Sequence, residues 1–136
     1  MKETTDRSAI GKRSRRKGKG GELEFCRLCK EHGWNAHRSA QFKGKTGQAS
    51  DVEGLFGLHV EVKRTERFDL YGSLDQSRRD AEASGIGEIP IVAHRRNDCR
   101  WVVVLDAHDF FRIYNAAVAE MLSQEPVKRT ETEDSV

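Results

Sequence analysis

The chain has 136 residues, of which 34% are charged and 36% hydrophobic. A chain of this length can form one domain with a modest core. No apolar run approaches the roughly 20 residues that a membrane-spanning helix needs, and the N-terminus lacks the apolar stretch of a signal peptide. Three cysteines without framework spacing fit a reducing compartment better than a disulfide-stabilised fold. We therefore expect a soluble, cytoplasmic protein.

The net charge of +2 conceals an uneven distribution of basic and acidic residues. Residues 1–20 contain eight Lys/Arg against two acids, a balance of +6, whereas the last twelve residues have a balance of −2. A basic arm attracts polyanions and makes their binding salt-sensitive; the alternative is a solvated tail that only aids solubility. We predict a flexible basic arm at 1–17, a folded domain at 18–123 and a flexible acidic tail at 124–136.

The first predicted helix spans Gly20–His32, because apolar residues recur at helical spacing and Gly33 follows in the C-cap position. The later elements follow from the same kinds of pattern. They are a short strand at Trp34–Ser39, a basic loop at Gln41–Gln48, two strands in Ala49–Thr65 around a turn near Gly54–Gly57, a helix at Ser73–Ser84 with Ser73 and Gln76 in capping-box spacing, strands at Ile89–His94 and Trp101–Leu105, and a helix at Asp106–Ser123. This order predicts an α/β fold with a mixed central sheet of about five strands flanked by helices.

The strand before Thr65 carries the main chemical signal. Its residues His59, Glu61 and Lys63 alternate with apolar ones, so Glu61 and Lys63 project from one face about 7 Å apart. A hairpin-like connection can bring Asp51 beside them. Two carboxylates and a backbone carbonyl form a hard oxygen site suited to Mg²⁺ or Mn²⁺, and a neighbouring lysine can orient or deprotonate a water. Alone, the pattern also describes an ordinary ion pair on a solvated strand.

The first helix strengthens the catalytic interpretation. Its predicted apolar face consists of Leu23, Phe25, Cys26, Leu28 and Cys29. Glu22 shares the positions of this face, so its carboxylate is expected on the buried side, where it is costly unless it joins a site. Glu24 lies on a different face and is the second choice.

These residues resemble the motifs of the PD-(D/E)xK nuclease superfamily, and most closely those of the archaeal-type Holliday-junction resolvases. The likeness rests on Gly18-Lys19-Gly20-Gly21-Glu22, Arg38-Ser39-Ala40, Ser50-Asp51 and Glu61-Val62-Lys63, and it extends to about Leu105. It implies a restriction-endonuclease-like core with Glu22, Ser39, Asp51, Glu61 and Lys63 as catalytic residues around a divalent metal. The ion would be Mg²⁺, with Mn²⁺ able to substitute, and its ligands would be Asp51, Glu61, Glu22 and Val62. Ser50 stands where the superfamily has its proline.

The resemblance implies an endodeoxyribonuclease acting on branched DNA, specifically a Holliday-junction resolvase that works as a homodimer because a four-way junction needs two symmetric cuts. The expected DNA-binding residues are Arg13, Arg15, Arg16, Lys17, Lys19, Arg38, Lys43, Lys45, Arg64 and Gln76. Two alternatives remain open: the same site acting on flap, nicked or duplex DNA, and a non-catalytic DNA-binding protein of the same fold.

Three other patterns point to structural roles. Cys26 and Cys29 suggest zinc, but both fall on the apolar face and no second ligand pair has finger spacing. Gly44-Lys45-Thr46 echoes a phosphate-binding loop, yet Ser39 stands where the leading glycine should be, so no nucleotide cofactor is expected. The histidines at 59, 94 and 108 are expected at the surface or at strand ends.

Overall fold

The computed structural model describes residues 18–40 and 49–124. The predicted basic arm, the basic loop at 41–48 and nearly all of the predicted acidic tail lie outside these ranges. Helix α1 is described over residues 18–31. The remaining elements are β1 (His37–Arg38), β2 (Val52–Glu53), β3 (Leu58–Arg64), α2 (Leu70–Ser84), β4 (Ile89–Arg95), β5 (Val102–Val104) and α3 (Ala107–Gln124). The predicted order of helices and strands is confirmed, although the strand expected at Trp34–Ser39 is only two residues long.

The five strands form one mixed sheet in the order β1-β2-β3-β4-β5. Only β3 and β4 are parallel, and α2 connects them. The other neighbouring pairs are antiparallel. The four residues between β2 and β3 and the six between β4 and β5 are too few for a parallel crossover. β3 is therefore the central strand, and the prediction of an α/β fold with a mixed five-stranded sheet is confirmed.

The hydrophobic core lies between α1 and one face of the sheet. Phe25, Cys26 and Cys29 of α1 pack with Val52 of β2 and Val60 of β3. Burial raises the pKa of both thiols, as expected for structural cysteines held in apolar surroundings. The predicted apolar face of α1 is correct except at Leu23, which is 44% exposed.

Helix α2 covers the opposite face of the sheet. The Ser77 side chain of this helix is fully buried, and its hydroxyl donates a hydrogen bond to the Ile91 carbonyl of β4 (3.0 Å). The predicted start of this helix is wrong. The N-cap is Asp69, whose carboxylate accepts from the Gly72 N–H (3.1 Å), so the helix begins three residues before Ser73. Ser73 is instead a buried residue inside the helix.

The chain divides into two compact units, 1–105 and 106–136. In the part of the second unit that the structure describes, α3 has no buried residue, and its aromatic and aliphatic side chains are largely exposed. The unit boundary falls inside the folded domain predicted at 18–123, whose extent stays a prediction. Within residues 18–40 and 49–124, no helix has both the length and the apolar character of a membrane span.

Gly21 lies close to the central strand, because a Cβ at this position would clash with Arg64 Cβ of β3. We predict that Gly21→Ala lowers the free energy of unfolding by about 1–3 kcal/mol through overpacking. The matched control is Gly20→Ala in the same helix, where an added Cβ meets nothing within 4 Å. That change should stabilise the protein by up to about 1 kcal/mol through helix propensity. Urea unfolding measures both, and equal effects would contradict the close contact.

Candidate active site

The candidate catalytic residues lie in a row across one face of the sheet. Val52 is paired with Val60, and Arg38 with Val52, so the next positions along each antiparallel ladder place Ser39, Asp51 and Glu61 side by side. A hydrogen bond from the Ser39 N–H to the Asp51 carbonyl (3.0 Å) continues this register. Because side chains alternate along a strand, these three lie on the face opposite Val52 and Val60. Lys63 follows Glu61 on the same face of β3.

The side chain of Asp51 replaces a missing strand neighbour. β2 pairs with β3 at Val52 and Val60, and among the described residues no strand continues this pairing along β3. The Val62 N–H would therefore lack a partner, and it donates instead to Asp51 Oδ2 (2.8 Å). The carboxylate is thus held against the central strand at the point where the sheet opens.

Burial makes both carboxylates of this row more basic. The pKa of Glu61 is raised from 4.5 to about 7, mainly by desolvation and also by the charge of Asp51, while Lys63 opposes the shift. Desolvation also raises the pKa of Asp51 from 3.8 to about 6, against the hydrogen bond from Val62. Elevated carboxylate pKa values in a cluster are typical of functional sites, where an ion or substrate compensates for the buried charge.

Lys63 and Gln76 complete the cluster around Glu61. Lys63 Nζ lies 3.8 Å from Glu61 Oε1 and 3.5 Å from Gln76 Oε1. The Gln76 amide nitrogen in turn lies 3.5 Å from Glu61 Oε1. Because Asp69 caps α2, Gln76 is not the capping-box partner that its spacing also allowed. Its amide faces the candidate site from the second turn of the helix.

The two helix glutamates of α1 have different environments. Glu22 has a 12% exposed side chain, accepts a hydrogen bond from Arg38 Nε (2.5 Å), and contributes to raising the pKa of Asp51 and Glu61. Glu24 pairs with Arg64 (3.5 Å) and with Arg95. Of these two glutamates, Glu22, the first choice from sequence, is therefore the one whose charge acts on the candidate site.

Ser39 is buried beside Asp51, and its hydroxyl donates to the Ser50 carbonyl. In this arrangement the side chain stabilises the junction of β1 with the segment before β2. Its predicted catalytic role stays a prediction.

The predicted DNA-binding residues other than Gln76 divide into three groups. Arg13, Arg15, Arg16, Lys17, Lys43 and Lys45 lie outside the described residues. Lys19 is exposed at the start of α1. Arg38 and Arg64 are ion-paired with Glu22 and Glu24, which leaves part of their charge compensated within the fold.

His59 and His94 each lie one residue inside a strand end, one of the two positions expected, but neither lies at the surface. His59 is 1% exposed, and its ring nitrogen forms with carboxylate oxygens of Glu61 and Asp80 a group whose atoms all lie within 4.8 Å of one another. His94 is buried and stacks on Phe68 with ring centroids 3.9 Å apart. Strand alternation places His59 on the same face of β3 as Glu61. Asp80 belongs to α2, and the sequence pattern of that helix does not indicate that Asp80 lies near these two residues.

No model of a known protein family matches the chain, and no curated protein matches it. Among solved structures, the chain is similar to Hjc, a Holliday junction resolvase from the archaeal hyperthermophile Archaeoglobus fulgidus. The two share 19% sequence identity over 65% of this chain and 76% of Hjc, with a TM-score of 0.49. This level of similarity identifies neither a family nor an activity.

The elevated pKa values predict how stability depends on pH in metal-free protein. The pKa of Glu61 is about 7 in the folded state against an ordinary 4.5, so between these values the folded state binds more protons than the unfolded state. The free energy of unfolding should therefore be highest below about pH 4.5 and fall as the pH rises through about 7, by on the order of 3 kcal/mol from this group. Urea unfolding in EDTA across this range measures the loss.

Other titrating groups contribute to the same pH profile, so the matched comparison is Glu61→Gln, which removes the titration and keeps the side-chain shape. Its stability should fall less steeply with rising pH than that of the wild type. Parallel profiles for the two proteins would contradict the assignment of an elevated pKa to Glu61.

Proposed function

We propose that this protein is a metal-dependent endodeoxyribonuclease that hydrolyses phosphodiesters of branched DNA, with the four-way junction as its preferred substrate. The observation that carries the enzymatic part is the placement of Asp51, Glu61 and Lys63 on one face of the central strand, at the point where the neighbouring strand stops. A buried and a partly buried carboxylate with elevated pKa values and an adjacent amine suit phosphodiester hydrolysis better than a structural ion pair.

The donor atoms fit a hard divalent cation such as Mg²⁺, with Mn²⁺ able to substitute. Asp51 and Glu61 supply carboxylate oxygens, and the Val62 carbonyl points to the same side of β3 as the Val62 N–H that Asp51 accepts from. Glu22 would act through water. When bound, such an ion lowers the pKa of a bound water and neutralises charge on the phosphodiester.

The protein's own groups would orient the reactants. Lys63 can donate hydrogen bonds to the attacking water or to a phosphate oxygen, and it stabilises the negative charge that develops in the transition state. Gln76 contacts both Lys63 and Glu61, so it limits the positions that the amine can adopt. The buried row of carboxylates keeps the site partly free of bulk water, which strengthens these interactions.

The preference for branched DNA rests on the likeness of the motifs to those of junction resolvases, described above from the sequence. Two symmetric cuts across a junction require two copies of the site, so we propose a homodimer. The basic arm, Lys19 and the lysines at 43 and 45 would contact phosphates, with a strong dependence of affinity on salt.

The same site also fits a nuclease acting on flap, nicked or duplex DNA, since the chemistry residues are shared. A protein that binds DNA without cutting it is the other alternative. The retained cluster of carboxylates and lysine favours catalysis over this second possibility.

Cleavage of a labelled four-way junction in Mg²⁺ tests the catalytic assignment. We predict that Asp51→Ala and Lys63→Ala each lower the rate by about 100-fold or more, because each removes a group that acts on the ion or on the nucleophile. The controls are Glu53→Ala, an exposed acid on β2, and Lys30→Ala, an exposed lysine on α1. Equal activity in the wild type and both site variants would overturn the assignment.

Substrate preference is tested with a panel of four-way junction, flap, nicked and linear duplex DNA of matched sequence. We expect the junction to be cut fastest, by paired symmetric incisions, and the ratio between substrates to be unchanged in a weakened variant such as Gln76→Ala. Faster cutting of a flap or plain duplex would transfer the proposal to that substrate. Tight junction binding without metal-dependent cutting would support the non-catalytic alternative.

A further inference from the structure

A second group of potential metal ligands lies next to the candidate active site. One ligand atom each from His59, Glu61 and Asp80 lies within 4.8 Å of the other two. His59 and Glu61 share a face of β3, and Asp80 reaches them from α2, one turn beyond Gln76. Ligand atoms of a tetrahedral zinc ion lie roughly 2.0–2.2 Å from the metal and therefore about 3.3–3.5 Å from one another, so modest side-chain movements, including one of the partly exposed Asp80, would close the group around one cation.

The imidazole of His59 has unsatisfied hydrogen-bonding capacity. Its Nε2 atom is buried and has no hydrogen-bond partner among the described residues. Its Nδ1 atom lies 4.0 Å from Glu88 Oε1, beyond a normal hydrogen bond. A fully buried ring with an unmet nitrogen is costly, and ligation of a cation would remove this cost. Glu88 is placed to orient the ring, as carboxylates commonly do for metal-bound histidines.

The charge around Glu61 is also unbalanced. Its carboxylate is close enough to Asp51, Asp80 and Glu22 for each to disfavour its ionisation, and Lys63 opposes them. A cation on the His59 side would relieve that repulsion.

We propose that His59, Glu61 and Asp80 bind a second divalent cation and that Glu61 bridges this site to the Asp51 site. Because an imidazole replaces one oxygen donor, the site selects a first-row transition ion of the Zn²⁺ or Co²⁺ type, whereas the oxygen donors at Asp51 and Val62 suit Mg²⁺. A cavity of about 850 Å³ with His59 and Glu88 in its lining provides an approach to the ring. The site needs no nuclease activity and stands if the proposed function fails.

Cobalt binding to the metal-free full chain without a histidine tag tests the site. The visible absorption of bound Co²⁺ and isothermal titration give the number of ions and their affinities. We expect the His59 site to bind in the wild type and in Asp51→Asn, and Asp80→Asn to raise its dissociation constant by at least about tenfold, the loss that even a ligand-supporting residue causes. The control is Asp75→Asn, an exposed aspartate on the same helix.

A second measurement identifies the histidine directly. In Asp51→Asn, one equivalent of Co²⁺ should shift or broaden the imidazole signals of His59 in NMR spectra, and these are assigned by comparison with His59→Gln. Equal Co²⁺ affinity in Asp80→Asn and Asp75→Asn would overturn the proposal. An unchanged His59 ring, or a cobalt spectrum dominated by thiolate absorption from cysteines, would do the same. If the wild-type protein binds Co²⁺ as expected but does not cleave DNA, only the nuclease assignment is contradicted and the proposed cation site stands.

Discussion

The hydrogen bond from the Val62 N–H to the Asp51 carboxylate is the interaction on which the candidate site depends. A central strand must pair the backbone groups on both of its edges, because an unpaired buried amide is costly. The short β2 leaves this requirement unmet beyond Val60, and a side chain meets it instead. The same contact therefore completes the sheet and holds a carboxylate beside Glu61. An opening in the strand ladder becomes a place where an ion or a phosphate can approach the backbone.

That arrangement concentrates negative charge where water is scarce. Glu61 is 7% exposed and has acidic neighbours contributed by α1, by the segment before β2 and by α2. The apolar face of β3 holds the strand in the core through Val60, so the polar face cannot move away to relieve the repulsion. Such an arrangement lowers the free energy of unfolding in the absence of a cation, and it increases the stabilisation that a bound cation would provide. The lysine and glutamine beside Glu61 both contact its Oε1 atom and offset part of the repulsion.

Sequence periodicity predicted the elements well where the pattern was local. The two faces of β3, the end of α1 at Gly33 and the buried cysteines all appear as expected, because each follows from side-chain direction or backbone conformation over a few residues. The start of α2 was missed because Asp69 lies ahead of the spacing that suggested a cap at Ser73. Leu23 was placed in the core because a helical pattern cannot show how wide the covered surface is.

The sequence by itself determined the order of elements and the placement of Glu61 and Lys63 on one face of a strand, since both depend on alternation and turn residues within short segments. Only the tertiary structure decided that β3 is central and that Asp80 joins the carboxylates around Glu61. Asp80 and Gln76 come from a helix that crosses between parallel strands, and His59 is buried because that helix covers it. These contacts join positions 15 to 21 residues apart in the chain. Their geometry depends on how α2 packs across the sheet, and local sequence patterns do not determine that packing.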